Sequence, residues 1–269
     1  MRSGPPEILA HRAGPLRRGV PRHAEQTLPA FAETWARERV VCEFDVRFTG
    51  DGIPVVFHDA TLQRLTGVRG ALADCDLASF RALRADILGS DRVLARAETP
   101  VPLATLGQVL AFARRSGAHL NVELKNLPGE PAFDPTARTA ERVARRLLAA
   151  GIGAQRLTVQ SFWAADVAVL GALLPGVRTS LLVPSAFEET GIESAIVVGA
   201  DAVGVAWPVA PETIREAQTQ GLYVMTYTVN DSDEVRAAAR AGVDAVITDD
   251  PTAARLALAA SVVADGGRD

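Results

Sequence analysis

Short apolar runs recur along this chain around Ile8, Val41, Leu120, Val159, Leu181, Val203, Val224 and Val246, each long enough for one buried strand. Segments of helical length separate most of them. The pattern predicts helices over 27–39, 106–116, 135–150, 164–174, 187–197, 211–219, 233–241 and 251–260, with Thr27 capping the first. Glycines stand just ahead of several strands (Gly117, Gly176, Gly221, Gly242), in short connections. Strand and helix taking turns in this way imply parallel strands, and eight such strands imply a closed TIM (β/α)8 barrel. No GxGxxG or GxxxxGK[ST] run argues instead for an open nucleotide-binding sheet.

Two stretches break the rhythm. Residues 15–25, rich in Gly, Pro and Arg, predict a loop. Residues 60–102 predict a small irregular insertion after the second strand, with a short helix near 76–83 capped by Asp76 and a polar, weakly patterned tail over 86–99. The whole, 1–269, is expected to form a single barrel domain, since such barrels run to ~250 residues.

Composition narrows the partners. The net charge of −4 leaves no basic excess to neutralise a polyphosphate, so nucleic acid is not an expected partner. No apolar stretch reaches the ~18 residues of a membrane span, and residues 1–14 lack the apolar core of a signal peptide. Cys42 and Cys75 have no metal-ligand spacing and are expected to be reduced thiols. A cytoplasmic location follows as an expectation. The oligomeric state is not legible.

Chemistry concentrates at the C-terminal ends of the predicted strands, where such barrels carry their sites. Strand one ends in His11-Arg12. Strand two carries Glu43 and Asp45, two positions apart and therefore on one face. The strand-like run 53–57 ends in His58-Asp59, and strand three ends Asn121-Val122-Glu123-Leu124-Lys125. Three carboxylates without a thiolate or imidazole among them form a hard-oxygen site for one divalent cation, Mg²⁺ or Ca²⁺. Arg12 and Lys125 remain as cations for an anionic group such as phosphate. His11 and His58 suit a general-acid and general-base pair. Together these describe cleavage of a phosphate ester.

Other residues carry plainer readings. His23 sits in the loop, and His119 begins strand three and so belongs to the opposite end of the barrel. Arg142, Arg145 and Arg146 follow helical spacing as a solvated face. Phe162 and Tyr227, at the ends of strands four and seven, are candidate substrate-binding walls. Trp207, just after strand six, either walls the pocket or packs on the rim.

The motifs resemble those of the glycerophosphodiester phosphodiesterase family. They are ILAHRAG at 8–14, HAEQTLPAF at 23–31, CEFDVRFTGDGIPVVFHDATLQRLTG at 42–67, VPLATLGQVL at 101–110, NVELKN at 121–126, VQSF at 159–162, TYTVND at 226–231 and GVDAVITDDP at 242–251. The resemblance implies a barrel with an insertion after the His-Asp motif, and His11 and His58 as the acid/base pair. It also implies a divalent ion on Glu43, Asp45 and Glu123, with Arg12 and Lys125 on phosphate. In that family a hydroxyl of the substrate beside the diester attacks phosphorus; one histidine takes its proton and the other protonates the leaving alcohol. The implied product is glycerol 3-phosphate with an alcohol such as choline or ethanolamine.

The chain departs from the family pattern in three places. The family's His-Arg-Gly is His11-Arg12-Ala13-Gly14, its Glu-Asn-Thr is Glu25-Gln26-Thr27, and its late Trp is Tyr227. Two alternatives stand beside the main expectation. A lysophospholipase D-like or sphingomyelinase D-like enzyme, cutting a lipid headgroup, would use an apolar rim, for which Phe162, Leu182, Phe187 and Trp207 are candidates. A non-catalytic phosphodiester-binding barrel would be expected to lack one of the histidines or acids, all of which are present.

Overall fold

The computed structural model describes residues 4–89, 94–184 and 188–265. Eight parallel strands form the barrel: β1 (Glu7–Ala10), β2 (Val41–Phe48), β3 (Leu120–Leu124), β4 (Leu157–Ser161), β5 (Arg178–Val183), β6 (Ala202–Ala206), β7 (Tyr223–Tyr227) and β8 (Ala245–Thr248). The ring closes because β1 pairs on both sides. Ile8 is in register with Val246 of β8, and Leu9 with Val41 of β2. Helices α1 (Leu28–Glu38), α4 (Leu106–Ser116), α5 (Arg138–Ala150), α6 (Ala164–Leu173), α7 (Glu188–Val197), α8 (Pro211–Thr219), α9 (Ser232–Ala241) and α10 (Pro251–Asp265) follow β1 to β8 in turn, as the TIM-barrel pattern requires. None is long and apolar enough to cross a membrane among the described residues.

Local chemistry sets the helix ends. Thr105 and Gln108 form a reciprocal capping box at the start of α4, and Gly117 ends it at φ +78°, a conformation open to glycine without steric penalty. Asp231 accepts the first backbone N–H groups of α9. Thr27 does stand at the cap position of α1, but its hydroxyl donates back to the Ala24 carbonyl at 2.8 Å and leaves the helix N–H groups alone.

Alternation along each strand divides the apolar residues into two populations. Phe44, Val46, Val122, Leu124 and Val159 face outward onto Phe31, Val109, Val143 and Leu147 of the helices. Val203, Val205, Val224 and Val246 do the same against Ile214, Val235 and Leu258. Full burial of such side chains contributes about 1.5–3 kcal/mol each. Leu9, Ala202, Met225, Ala245 and Ile247 form a separate inner cluster that fills the barrel below its C-terminal mouth.

Between β2 and α4 the chain leaves the barrel. Pro54–Val56 returns antiparallel beside β2. It is followed by α2 (Gln63–Thr66), α3 (Leu77–Ala82) and an antiparallel hairpin, Arg84–Gly89 with Leu94–Pro102. Asp76 caps α3 by accepting from the Ser79 N–H. The hairpin replaces the irregular tail expected over 86–99. Seven of the nine residues of its second strand are exposed, so no buried face imposes the alternation by which strands are read. A second small hairpin, Leu16–Arg17 with Val20–Pro21, occupies the expected 15–25 loop. Val55, Phe57, Leu62, Leu65, Leu72 and Phe80 give the excursion its own apolar core. Cys42 and Cys75 are free thiols, and burial pushes the Cys42 thiol up to about 12.

Candidate active site

The polar residues facing inward at the mouth of the barrel belong to the same alternation that puts aliphatic residues inside lower down. β2 therefore presents Glu43 and Asp45 side by side, each 1 % exposed, and β3 presents Glu123 beside them. One oxygen from each of the three carboxylates lies within 4.8 Å of the others. Lys125 Nζ reaches Asp45 Oδ1 at 3.1 Å and Glu123 Oε1 at 2.5 Å. Gln26 pairs with Asp45 in both directions, donating from Nε2 to Oδ2 at 2.6 Å and accepting the Asp45 N–H at 2.9 Å. Gln26 stands where the family's triplet has Asn.

Arg12, Ala13 and Gly14 are three successive residues with positive φ, +48°, +65° and +66°. Ala13 sits where the family's triplet has glycine, in a backbone region that costs a side-chain-bearing residue about 1–2 kcal/mol. The turn aims the Arg12 N–H at Glu43 Oε2, 2.8 Å away, and its guanidinium at Glu25 at 3.1 Å and Asp45 at 3.9 Å.

Burial and the neighbouring charge of Asp45 push Glu43 up to about 8. Burial also raises Glu123, against the pull of Lys125. Asp45 stays well below the usual carboxylate range; its burial is outweighed by Lys125, His58 and Arg12. Glu43 Oε1 is buried without a hydrogen-bond partner among the described residues. Three crowded carboxylates with one unpartnered oxygen lack positive charge. Glu43, Asp45 and Glu123, this compact and this hard, would hold one divalent ion such as Mg²⁺ or Ca²⁺. The donor set suits such an ion.

The two histidines are held alike. His11 Nδ1 bonds Asp249 Oδ1 at 2.6 Å, and His58 Nδ1 bonds Asp59 Oδ1 at 2.7 Å. With Nδ1–H donated to a carboxylate, Nε2 is the nitrogen each ring offers elsewhere. Burial and Arg12 depress His11, but Asp249 and Glu43 outweigh them and raise it. Asp249 is itself steadied by Asn230, which donates from Nδ2 at 2.6 Å and accepts the Asp249 N–H at 2.8 Å.

A cavity of about 340 Å³ opens above the acids. His11, Arg12, Glu43, His58, Glu123, Lys125, Phe162 and Tyr227 all line it. The Phe162 ring meets Tyr227 edge-on, centroids 6.0 Å apart, and Lys125 Nζ lies 5.7 Å from its centre. Asp45 sits just behind this wall. Trp207 is the exception among the expected substrate-binding residues. It lies outside this lining and packs, half-buried, on the outer apolar cluster. Of the apolar rim expected for a lipid substrate, Leu182 lines the cavity and Phe187 lies outside the described residues. His23 pairs with Glu33 at 2.6 Å, and His119 stacks on Trp35, both away from the cavity.

Several residues that hold the expected site residues in place were not offered as candidates from the sequence: Asp249, Asn230, Gln26, Glu25, Asp59 and Arg64 were read only as parts of its motifs. Asp249 carried a readable signal, because it follows Ile247 by two residues and so shares that residue's inward face.

A parallel eight-stranded barrel with ionisable groups gathered at its strand ends has the architecture of a barrel enzyme. The family model of the glycerophosphoryl diester phosphodiesterases matches residues 11–253, and the chain belongs to that family. The glycerophosphodiester phosphodiesterase of Caldanaerobacter subterraneus subsp. tengcongensis is 24 % identical over 245 residues, covering 91 % of this chain and 94 % of that protein. A crystal structure from Silicibacter pomeroyi assigned to the same enzymes superposes with a TM-score of 0.82 at 27 % identity, over 97 % of this chain and 95 % of that one. A phosphodiesterase of Oleispira antarctica, solved with the product sn-glycerol 3-phosphate, shares the fold with a TM-score of 0.78 at 23 % identity, over 95 % and 97 % of the two chains.

Proposed function

We propose that this chain, acting as one domain, hydrolyses glycerophosphodiesters to glycerol 3-phosphate and an alcohol by acid–base catalysis between His11 and His58. The observation that carries this reading is the pair of histidines lining one cavity, each backed by a carboxylate on Nδ1, beside the three-acid cluster. Family membership supports the same substrate class.

Glu43, Asp45 and Glu123 would hold one divalent ion, Mg²⁺ or Ca²⁺, which supplies positive charge to the phosphate oxygens. Arg12 and Lys125 add fixed cationic groups for the diester. Each is already braced by carboxylates, so neither has to be reoriented as charge develops on phosphorus. A hydroxyl of the glycerol moiety attacks phosphorus while one histidine takes its proton at Nε2. The other histidine gives a proton to the departing alcohol oxygen, leaving a cyclic glycerol phosphate. Water then attacks phosphorus with the two histidines in exchanged roles, one ring P–O bond breaks, and glycerol 3-phosphate is released. Asp249 and Asp59 keep both rings turned for these transfers. Phe162 and Tyr227 wall the cavity and limit the poses open to the diester.

The test is release of glycerol 3-phosphate from glycerophosphocholine by protein treated with EDTA and then supplied with Mg²⁺ or Ca²⁺. Activity lost on chelation and restored by either ion is the expected result. Equal release before and after chelation would remove the ion from the account.

A further inference from the structure

Arg64 lies on α2, in the excursion from the barrel, and it does not line the catalytic cavity. Its guanidinium nevertheless holds two carboxylates at once. Nε donates to Asp59 Oδ2 at 2.6 Å and Nη2 to Asp59 Oδ1 at 3.0 Å. Nη1 donates to Glu25 Oε2 at 2.9 Å and Nη2 to Glu25 Oε1 at 2.6 Å. Each of those carboxylates in turn holds one working side chain. Asp59 fixes Nδ1 of His58, and Glu25, 1 % exposed, receives Arg12 Nη1.

We propose that Arg64 is a positioning residue for this reaction, coupling the orientation of His58 to that of the phosphate-binding Arg12 through one guanidinium shared by Asp59 and Glu25. This rests on the roles given to His58 and Arg12 above. The planar fork is what permits the coupling, since its donors fix two carboxylates in one plane. A lysine offers a point charge and cannot clamp both in register. Removing Arg64 leaves Asp59 and Glu25 each with one functional cation and no brace. Asp59 is then free to turn with His58, and Glu25 to draw Arg12 away from the diester. The insertion thus does more than cover the barrel: it supplies the residue that ties the proton-transfer side of the cavity to the phosphate side.

A purely structural clasp between insertion and barrel would leave a different signature. Its loss would lower the thermal midpoint and leave kcat of the folded fraction unchanged. The experiment compares the full-length wild type, Arg64→Lys and Arg64→Ala for glycerol 3-phosphate release from glycerophosphocholine with the ion saturating. Thermal midpoints are taken in parallel, and guanidinium ion is added at tens of millimolar. Arg64→Lys is expected to stay folded, with its midpoint within about 3 °C, while kcat falls about 10- to 100-fold. Arg64→Ala is expected to lose at least as much and to recover several-fold on addition of guanidinium, which does not activate the wild type. Adding Asp59→Asn to Arg64→Ala is expected to cost less than the product of the two single losses, because the pair acts as one unit. Folded Arg64→Lys with kcat within twofold of an active wild type would overturn this inference alone. So would a loss in Arg64→Ala that follows the midpoint and ignores guanidinium. An inactive wild type would overturn the reading of the site, and this inference with it.

Discussion

Asp249 accepts a hydrogen bond from His11 Nδ1 across 2.6 Å, though 238 residues separate them in the chain. Closure of the barrel makes the contact, because β8 pairs with β1 and places Thr248 beside Ala10. The bond sets the tautomer of His11 and offsets the burial and the Arg12 charge that would otherwise depress it.

Asp249→Asn should therefore lower kcat by about 10²-fold or more, with KM little changed. The pH profile gives the second readout. With the carboxylate gone, burial and Arg12 act with less opposition, and the limb of the profile belonging to His11 should move to lower pH. A variant whose profile keeps its position would separate Asp249 from the titration of His11.

Glu43 predicts how the metal-free protein responds to pH. Its folded pKa of about 8 lies above the ordinary 4.5, so the folded state favours the protonated form. That contribution is complete below about pH 4.5 and is lost as pH rises toward 8. A divalent ion needs the ionised form, so its stabilising effect grows over the same interval. The gap in thermal midpoint between ion-loaded and EDTA-treated protein should widen by several degrees from pH 5 to pH 8, and Glu43→Gln should flatten it. A gap independent of pH in the unaltered protein would contradict the assignment of Glu43 as a ligand.

Phe162 tests the wall of the cavity. Its ring packs edge-on to Tyr227 and beside Lys125 Nζ. Phe162→Ala removes contacts made equally in the bound substrate and in the transition state. Steady-state kinetics should show KM raised about tenfold and kcat within about threefold. A fall in kcat with KM unchanged would place the ring in the chemical step instead.

The eight barrel strands were legible because each is an apolar run buried on both faces, and Glu43, Asp45 and Glu123 stood out as charges inside such runs. The hairpin at Arg84–Gly89 and Leu94–Pro102 was not, because exposure leaves it no apolar rhythm. For Trp207 the sequence left two places open, and the parity of the strand before it bears on the choice. Ala202 faces the inner cluster, so Ala206 shares that face and Trp207 turns outward onto the helices. Asp249 shares the inward parity of Ile247, but Arg64 and Glu25 meet partners brought together only by the fold, and local spacing carries no trace of those pairings.

The proposed reaction turns on the division of the two proton transfers between His11 and His58. It is tested most directly with His11→Ala and His58→Ala, each assayed on glycerophosphocholine and on a glycerophosphodiester whose leaving group is p-nitrophenol. Both variants should lose about 10²–10⁴-fold on glycerophosphocholine. The variant lacking the acid should regain most of its rate with p-nitrophenol, which departs without a proton, and the variant lacking the base should not. Glycerol 3-phosphate release from glycerophosphocholine within tenfold of the wild type in both variants would contradict the account.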